Sequence, residues 1–208
     1  MEDILDVYCR PYDPGYPVVG LDEAAKQLLH HVRAPLPMAR GVPQRVDSDY
    51  ERHGTCSIFM ACEPLRGWRV AKVSARRTKL DWAYFVRDLV DVHFPDAERV
   101  VLVMDNLNTH HPASLYEAFD PAEAKRIWDR LEIHYTPKHG SWLNIAECEL
   151  SVLARQCTKG RLPDEETLKA KVLAWAAERN AEVKKVQWHF TTAHARIKLQ
   201  HLYPKIVV

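Results

Sequence analysis

RVVLVMDN, residues 99–106, decides how the rest of the chain reads. The five consecutive apolar residues Val100 to Met104 show neither helical nor alternating period, which is the pattern of a strand buried on both faces in a parallel part of a sheet. The run stops on a carboxylate, Asp105. Upstream, PVVGLDEA, residues 17–24, has the same form: Val18, Val19 and Leu21 make a strand that ends in Asp22 and Glu23. Between these two strands, CSIFMAC and WRVAKVSA are joined through EPLRG, with Gly67 in the turn, so a hairpin follows the first strand and the sheet begins antiparallel.

The stretches further out complete the order. Thr78 and Asp81 have capping spacing, and Trp82, Phe85, Val86, Leu89 and His93 recur on one helical face until Pro95 closes it. Residues 112–130 read as one helical stretch. In LEIHYTP, residues 131–137, Leu131, Ile133 and Tyr135 alternate with Glu132, His134 and Thr136 as in a half-exposed strand. Gly140 and Ser141 introduce a helix whose core face is Leu143, Ala146, Leu150, Leu153 and Cys157, and another follows through Leu168, Val172 and Trp175. A last helix starts near Thr192, and Ile4, Leu5 and Tyr8 mark a short helix in a lead-in segment, residues 1–16. The order predicts an α/β domain over residues 17–208, with a mixed five-stranded sheet between layers of helices.

Composition narrows the class. With 47% hydrophobic and 27% charged residues the chain suits one soluble globular domain, and 29 basic against 28 acidic residues leave nucleic-acid binding to local patches. Such patches exist. Arg33, Arg40, Arg45 and Arg52 lie in a stretch, residues 33–54, that Pro35, Pro37, Gly41, Pro43 and Gly54 make an irregular, cationic connection, a candidate DNA-facing loop. Arg76, Arg77 and Lys79 cluster after a strand, and Lys138 and His139 precede a helix. The five cysteines lack the spacing of a zinc module or a disulfide framework and read as reduced, mostly buried thiols. No stretch approaches the roughly 20 apolar residues of a membrane span, and the N-terminus lacks the apolar run of a signal peptide, so the expected location is the cytoplasm.

The chemistry follows from the acids. Asp22 or Asp105 alone is no more than the polar end of a buried strand. Together, at the same edge of adjacent strands, they supply hard anionic oxygens where ligands of open α/β sheets gather. A pair of Mg²⁺ or Mn²⁺ ions held roughly 3.5–4 Å apart needs several such carboxylates, one ion activating the attacking oxygen and the other stabilising the leaving oxygen. A third acid comes from a later helix. Glu147 and Glu149 each lie about 80° from the centre of its apolar stripe, on opposite sides, and periodicity does not choose between them.

The stretches YDPGYPVVGLDE, VLVMDNLNTH, YTPKHGSWLNIAECELSVLARQC and FTTAHARIKLQHLYP, spread over residues 12–204, resemble in kind and order the blocks of the insertion sequence 630 group of transposases, bacterial relatives of the mariner elements among the DDE superendonucleases. The resemblance implies a ribonuclease H-like catalytic domain that cleaves DNA at transposon ends and transfers the strand to target DNA, using Mg²⁺ or Mn²⁺ on Asp22, Asp105 and Glu147. Glu147 is preferred over Glu149 because it completes the block from Leu143. Asn106, His110 and Asn144 are then expected beside the metals or against DNA, with Lys138 on phosphate. Double-stranded DNA is the implied partner, in a homodimer or with a full-length transposase on the bacterial nucleoid, with neither a membrane nor a small-molecule substrate. Two departures stand out: DPAEAKRIWDRLE lengthens the interval between Asp105 and Glu147, and the family's N-terminal helix-turn-helix modules have no counterpart before residue 17. The alternative is a catalytically silent remnant that binds DNA or regulates a transposase.

Overall fold

In the computed structural model, which describes residues 1–138 and 140–203, the chain runs α1 (Glu2–Tyr8), β1 (Val18–His31), β2 (Tyr50–Glu63), β3 (Trp68–Ser74), α2 (Lys79–Asp88), β4 (Val100–Met104), α3 (Pro112–Ala118), α4 (Pro121–Asp129), β5 (Leu131–Tyr135), α5 (Ile145–Gln156), α6 (Glu165–Ala181) and α7 (Thr192–Lys198). The five strands form one sheet in the order β3-β2-β1-β4-β5. β1 is antiparallel to β2 and β2 to β3, whereas β1 and β4, and β4 and β5, are parallel. The mixed five-stranded sheet expected from the sequence is thus present. All five residues of β4 are buried, because helices cover it on both sides.

Alternation along β1, β2 and β4 sorts the core into two faces. Val19, Leu21, Phe59, Ala61, Leu102 and Met104 pack on Trp82, Phe85 and Val86 of α2, Leu115 of α3 and Ile127 of α4. On the other face, Val18, Val101 and Val103 meet Ile4 and Leu5 of α1, Ile145 and Ala146 of α5, and Ala195 of α7. Further along that face, Ile58, Met60 and Val73 meet Leu150 and Leu153 of α5 and Val172 and Trp175 of α6. The result is three layers. Thr78 caps α2 through the reciprocal contact with Asp81 that their spacing predicts, and α2 runs into a π turn, Leu89–His93, ahead of Pro95. Gly67 takes the positive φ, 72°, of the β2–β3 turn.

Three expectations need correction. β1 does not end at Asp22 and Glu23 but continues to His31, since β2 begins at Tyr50, well before Cys56, and pairs with it from Gly20↔Cys62 to His31↔Tyr50. The cationic connection is thereby reduced to the tip of a long hairpin, residues 32–49, whose base Arg161 grips through the carbonyls of Asp47, Ser48 and Asp49. Second, the helical stretch at 112–130 is two helices. Pro121 disfavours helix at the preceding residue, and Asp120 there accepts from the backbone N–H of Ala122 and Glu123 to cap α4. Third, the thiols are not mostly buried: Cys56 and Cys62 are, but Cys9 and Cys148 are exposed and Cys157 is intermediate. Among the described residues no helix is long and apolar enough to cross a membrane.

Candidate active site

The short parallel ladder between β1 and β4 sets the geometry. Val18, Val19 and Gly20 pair with Val101, Leu102 and Val103, and the pairing stops there. Carrying that register two residues further brings Asp22 level with Asp105, just past the end of β4. Both have the parity of Val18, Val101 and Val103, so both belong to the face covered by α5. β1 runs on alongside β2 alone, and Asp22 sits within this longer strand, at the step where β4 falls away.

α5 brings the third acid to the same face. Asn144 caps the helix, its Oδ1 accepting from the Ala146 N–H at 3.1 Å, and its Nδ2 donates to the Leu21 carbonyl at 2.9 Å. One buried amide therefore starts α5 and ties it to β1 beside Asp22. The sequence-based expectation put Asn144 beside metal or DNA; its hydrogen bonds are with the protein. The approach is close. A Cβ on Gly20 would lie 2.5 Å from Cγ2 of Ile145 and 3.2 Å from the Ala146 nitrogen. Glu147 lies in the first turn of α5, where the helix dipole favours negative charge.

The charges meet at Asp22. Burial, and then the negative charges of Asp105, Glu23 and Glu147, push its carboxyl up to about 7, against the lowering effect of the hydrogen bond from the Glu23 N–H. Glu149, the competing glutamate, faces elsewhere: it is buried between Arg179 Nη2 at 3.0 Å and Arg69 Nε at 3.1 Å. Among the described residues no three His, Cys, Asp or Glu side chains close tightly enough to cage an ion. The negative charges of Asp105 and Glu147 both act on Asp22, but the three acids do not converge on one point. An ion such as Mg²⁺, which keeps several waters and takes one or two carboxylates, does not require a closed cage.

His110 is the most constrained group here. Its buried ring stacks on Trp82, with centroids 5.6 Å apart, and its Nε2 is 2.8 Å from Glu23 Oε1. Nδ1 is 3.0 Å from the Asp105 carbonyl and 2.7 Å from Asp105 Oδ1. The second contact is short but poorly aligned, and Oδ1 has no hydrogen bond of its own. Burial alone would lower the imidazole, but its close contacts with Asp105 and Glu23 outweigh it and push it up to about 10. Asn106 and Lys138 are exposed; His139 and Pro204 lie outside the described residues. The sequence reading noticed Glu23 only as a second strand-end acid. The signal that could have separated it from Asp22 is parity, since consecutive strand residues point to opposite faces.

Residues 17–169 match the family described as DDE superfamily endonuclease. The chain belongs to this family. Two solved structures share the fold of this DDE-superfamily chain, which is ribonuclease H-like: the Mos1 mariner paired end complex with Mn and the Mos1 Strand Transfer Complex. The first is 15% identical with a TM-score of 0.56, over 88% of this chain and 54% of that one. The second is 12% identical with a TM-score of 0.55, over 88% and 56%. The chain thus spans about half the length of these relatives. No curated protein matches the DDE-superfamily chain in sequence.

Proposed function

We propose that this chain is the catalytic domain of a DNA transposase of the insertion sequence 630 and mariner kind, acting on bacterial DNA in the cytoplasm. Asp22, Asp105 and Glu147 would hold two Mg²⁺ or Mn²⁺ ions for cleavage at transposon ends and strand transfer into target DNA. The observation that carries this reading is the β1–β4 register, which brings Asp22 level with Asp105 on the face covered by α5, whose first turn carries Glu147. Family membership over residues 17–169 supports it, as do the paired end, strand transfer and Mn named for the structures of like fold.

The donor set fits such ions. All three groups offer hard carboxylate oxygens, and Asp105 Oδ1 is buried without a hydrogen-bond donor aligned to it. Bound there, divalent ions supply Lewis acidity to a phosphodiester and lower the pKa of an attacking water or 3′-hydroxyl. The protein's own part is to hold the acids at fixed spacing and to bring DNA to them. The exposed Asn106 and Lys138 flank the site in sequence, and Arg40, Arg45 and Arg52 project from the hairpin formed by β1 and β2, where phosphate would meet them. Two transposon ends must be brought together, which favours two catalytic domains acting as a pair.

A Mn²⁺-dependent nicking assay on supercoiled DNA tests the reading. The protein is expected to nick in Mn²⁺ or Mg²⁺ and not in excess chelator, and Asp105→Asn should lose the activity while retaining its circular dichroism and melting temperature. Equal nicking by Asp105→Asn would overturn the assignment. A protein that shifts DNA but never cuts it would instead be the silent remnant.

A further inference from the structure

The sheet stops holding Asp105 one residue before Asp105 is needed. β1 and β4 share backbone pairing only through Gly20 and Val103, and β4 itself ends at Met104. Past that step β1 is held by β2, while the chain after Asp105 turns through residues 106–111 into α3. Any relation between Asp22 and Asp105 must therefore be fixed by something other than the ladder.

We propose that Glu23 is a positioning residue that acts through His110 to hold Asp105 beside Asp22 where backbone pairing has ended. Glu23 has the parity of Val19 and Leu21, so its carboxylate enters the face opposite Asp22, among the residues of α2 and α3. There Oε1 meets His110 Nε2 at 2.8 Å, both side chains fully buried. The other ring nitrogen contacts the Asp105 carbonyl at 3.0 Å and its carboxylate at 2.7 Å. A single imidazole thus spans from β1 to the residue after β4 and takes the place of the missing rung.

The span is itself fixed. Trp82 stacks on the ring, the Tyr135 hydroxyl donates to the His110 carbonyl at 2.6 Å, and the His110 N–H donates to the Leu107 carbonyl at 2.9 Å. A carboxylate buried this deeply is costly unless it is paired, and Glu23 Oε2 has no hydrogen-bond partner. A leucine would fill the same apolar face without that cost. The acid's other oxygen, Oε1, is the one that meets His110. Substitution of such outer partners of metal-holding carboxylates typically weakens metal affinity about 10–100-fold.

This proposal rests on the reading of Asp22 and Asp105 as metal-holding acids, and the experiment separates the two. Mn²⁺ binding is read from the loss of the free-ion electron paramagnetic resonance signal in wild type, Glu23→Leu, Glu23→Gln and Asp105→Asn. Glu23→Leu is expected to raise the half-saturating Mn²⁺ concentration roughly tenfold. Glu23→Gln keeps an acceptor opposite Nε2 and should raise it by only about threefold, and it keeps the side-chain shape should the leucine variant fail to fold. In an Asp105→Asn background neither substitution should weaken binding further, because Glu23 acts only through Asp105. A general structural role would weaken both backgrounds alike and overturn the proposal, as would wild-type midpoints in both Glu23 variants. If Asp105→Asn binds Mn²⁺ as wild type does, the metal reading itself falls, and the proposal with it.

Discussion

Glu147 and Glu149 are two residues apart on α5, and their surroundings are opposites. Glu149 lies in a buried cluster where Arg69 of β3 and Arg179 of α6 both reach it, and Arg69 donates as well to Asn180 Oδ1 and the Lys184 carbonyl. Glu147 has no ion pair among the described residues, and its negative charge adds to those of Asp105 and Glu23 in raising the Asp22 carboxyl. One site is neutralised by its own protein and contributes to stability. The other is an accumulation of like charge that works against the fold and is suited to an external cation. On α5, what separates the two glutamates is whether neighbouring arginines supply a counter-charge.

The sharpest way to break this contrast is to neutralise each glutamate in turn. Glu147→Gln should lower Mn²⁺-dependent nicking by about 10³-fold or more, of the order of the 4 kcal/mol that such a transition-state contact supplies, and leave the melting temperature unchanged or raised. Glu149→Gln should do the reverse, costing about 3–5 kcal/mol in denaturant unfolding by stranding the buried Arg69 guanidinium and the half-buried Arg179 beside it, with nicking by the folded fraction retained. The opposite pattern would exchange the roles of the two residues. A finer test uses pH. The Asp22 carboxyl is pushed up to about 7 in the folded protein from its ordinary value of 3.8, so the unfolded chain loses this proton first as pH rises. Folding stability contributed by this group falls across that window. Asp22→Asn should accordingly be more stable than the parent by about 2 kcal/mol at pH 8, with the difference vanishing near pH 4; thermal melts across that range measure it.

Two caps give the smallest effects and separate helix stability from site geometry. Asn144→Ala should cost about 1–2 kcal/mol and also reduce nicking, because the same amide ties α5 to the Leu21 carbonyl. Asp120→Ala removes a cap of similar kind from α4, away from the acids, and should cost about 1 kcal/mol with nicking unchanged. Equal loss of nicking in both would mean that the tie to β1 is irrelevant to the site.

Legibility followed the range of the interactions concerned. β4 was readable because burial on both faces leaves nothing polar in Val100–Met104, and the cap of α2 because Thr78 and Asp81 are neighbours. The end of β1 was not, since its length depends on β2, a partner some thirty residues on in the chain, and polar Lys26, Gln27 and His30 continue the strand only because Cys56, Thr55 and Glu51, respectively, pair with them. The break before α4 is local and legible in Asp120 and Pro121, a cap followed by a proline. At the site, the positions of Asp22 and Asp105 followed from strand order, whereas the fate of Glu149 depended on Arg69 and Arg179, which no local pattern links to it. His110 likewise gives no sign in DNLNTH that its ring will lie between two carboxylates.

Gly20 carries one more implication. The gap between β1 and the start of α5 is as wide as a hydrogen atom allows, since even a methyl group would collide with Ile145. The gauge of the site is thus set by a residue with no charge, no hydrogen-bonding side chain and no place in any list of acids. A relative could retain Asp22, Asp105 and Glu147 in full and still be silenced by alanine here, so an inventory of intact acids is a poor certificate of a working element unless the glycine beneath them is checked as well.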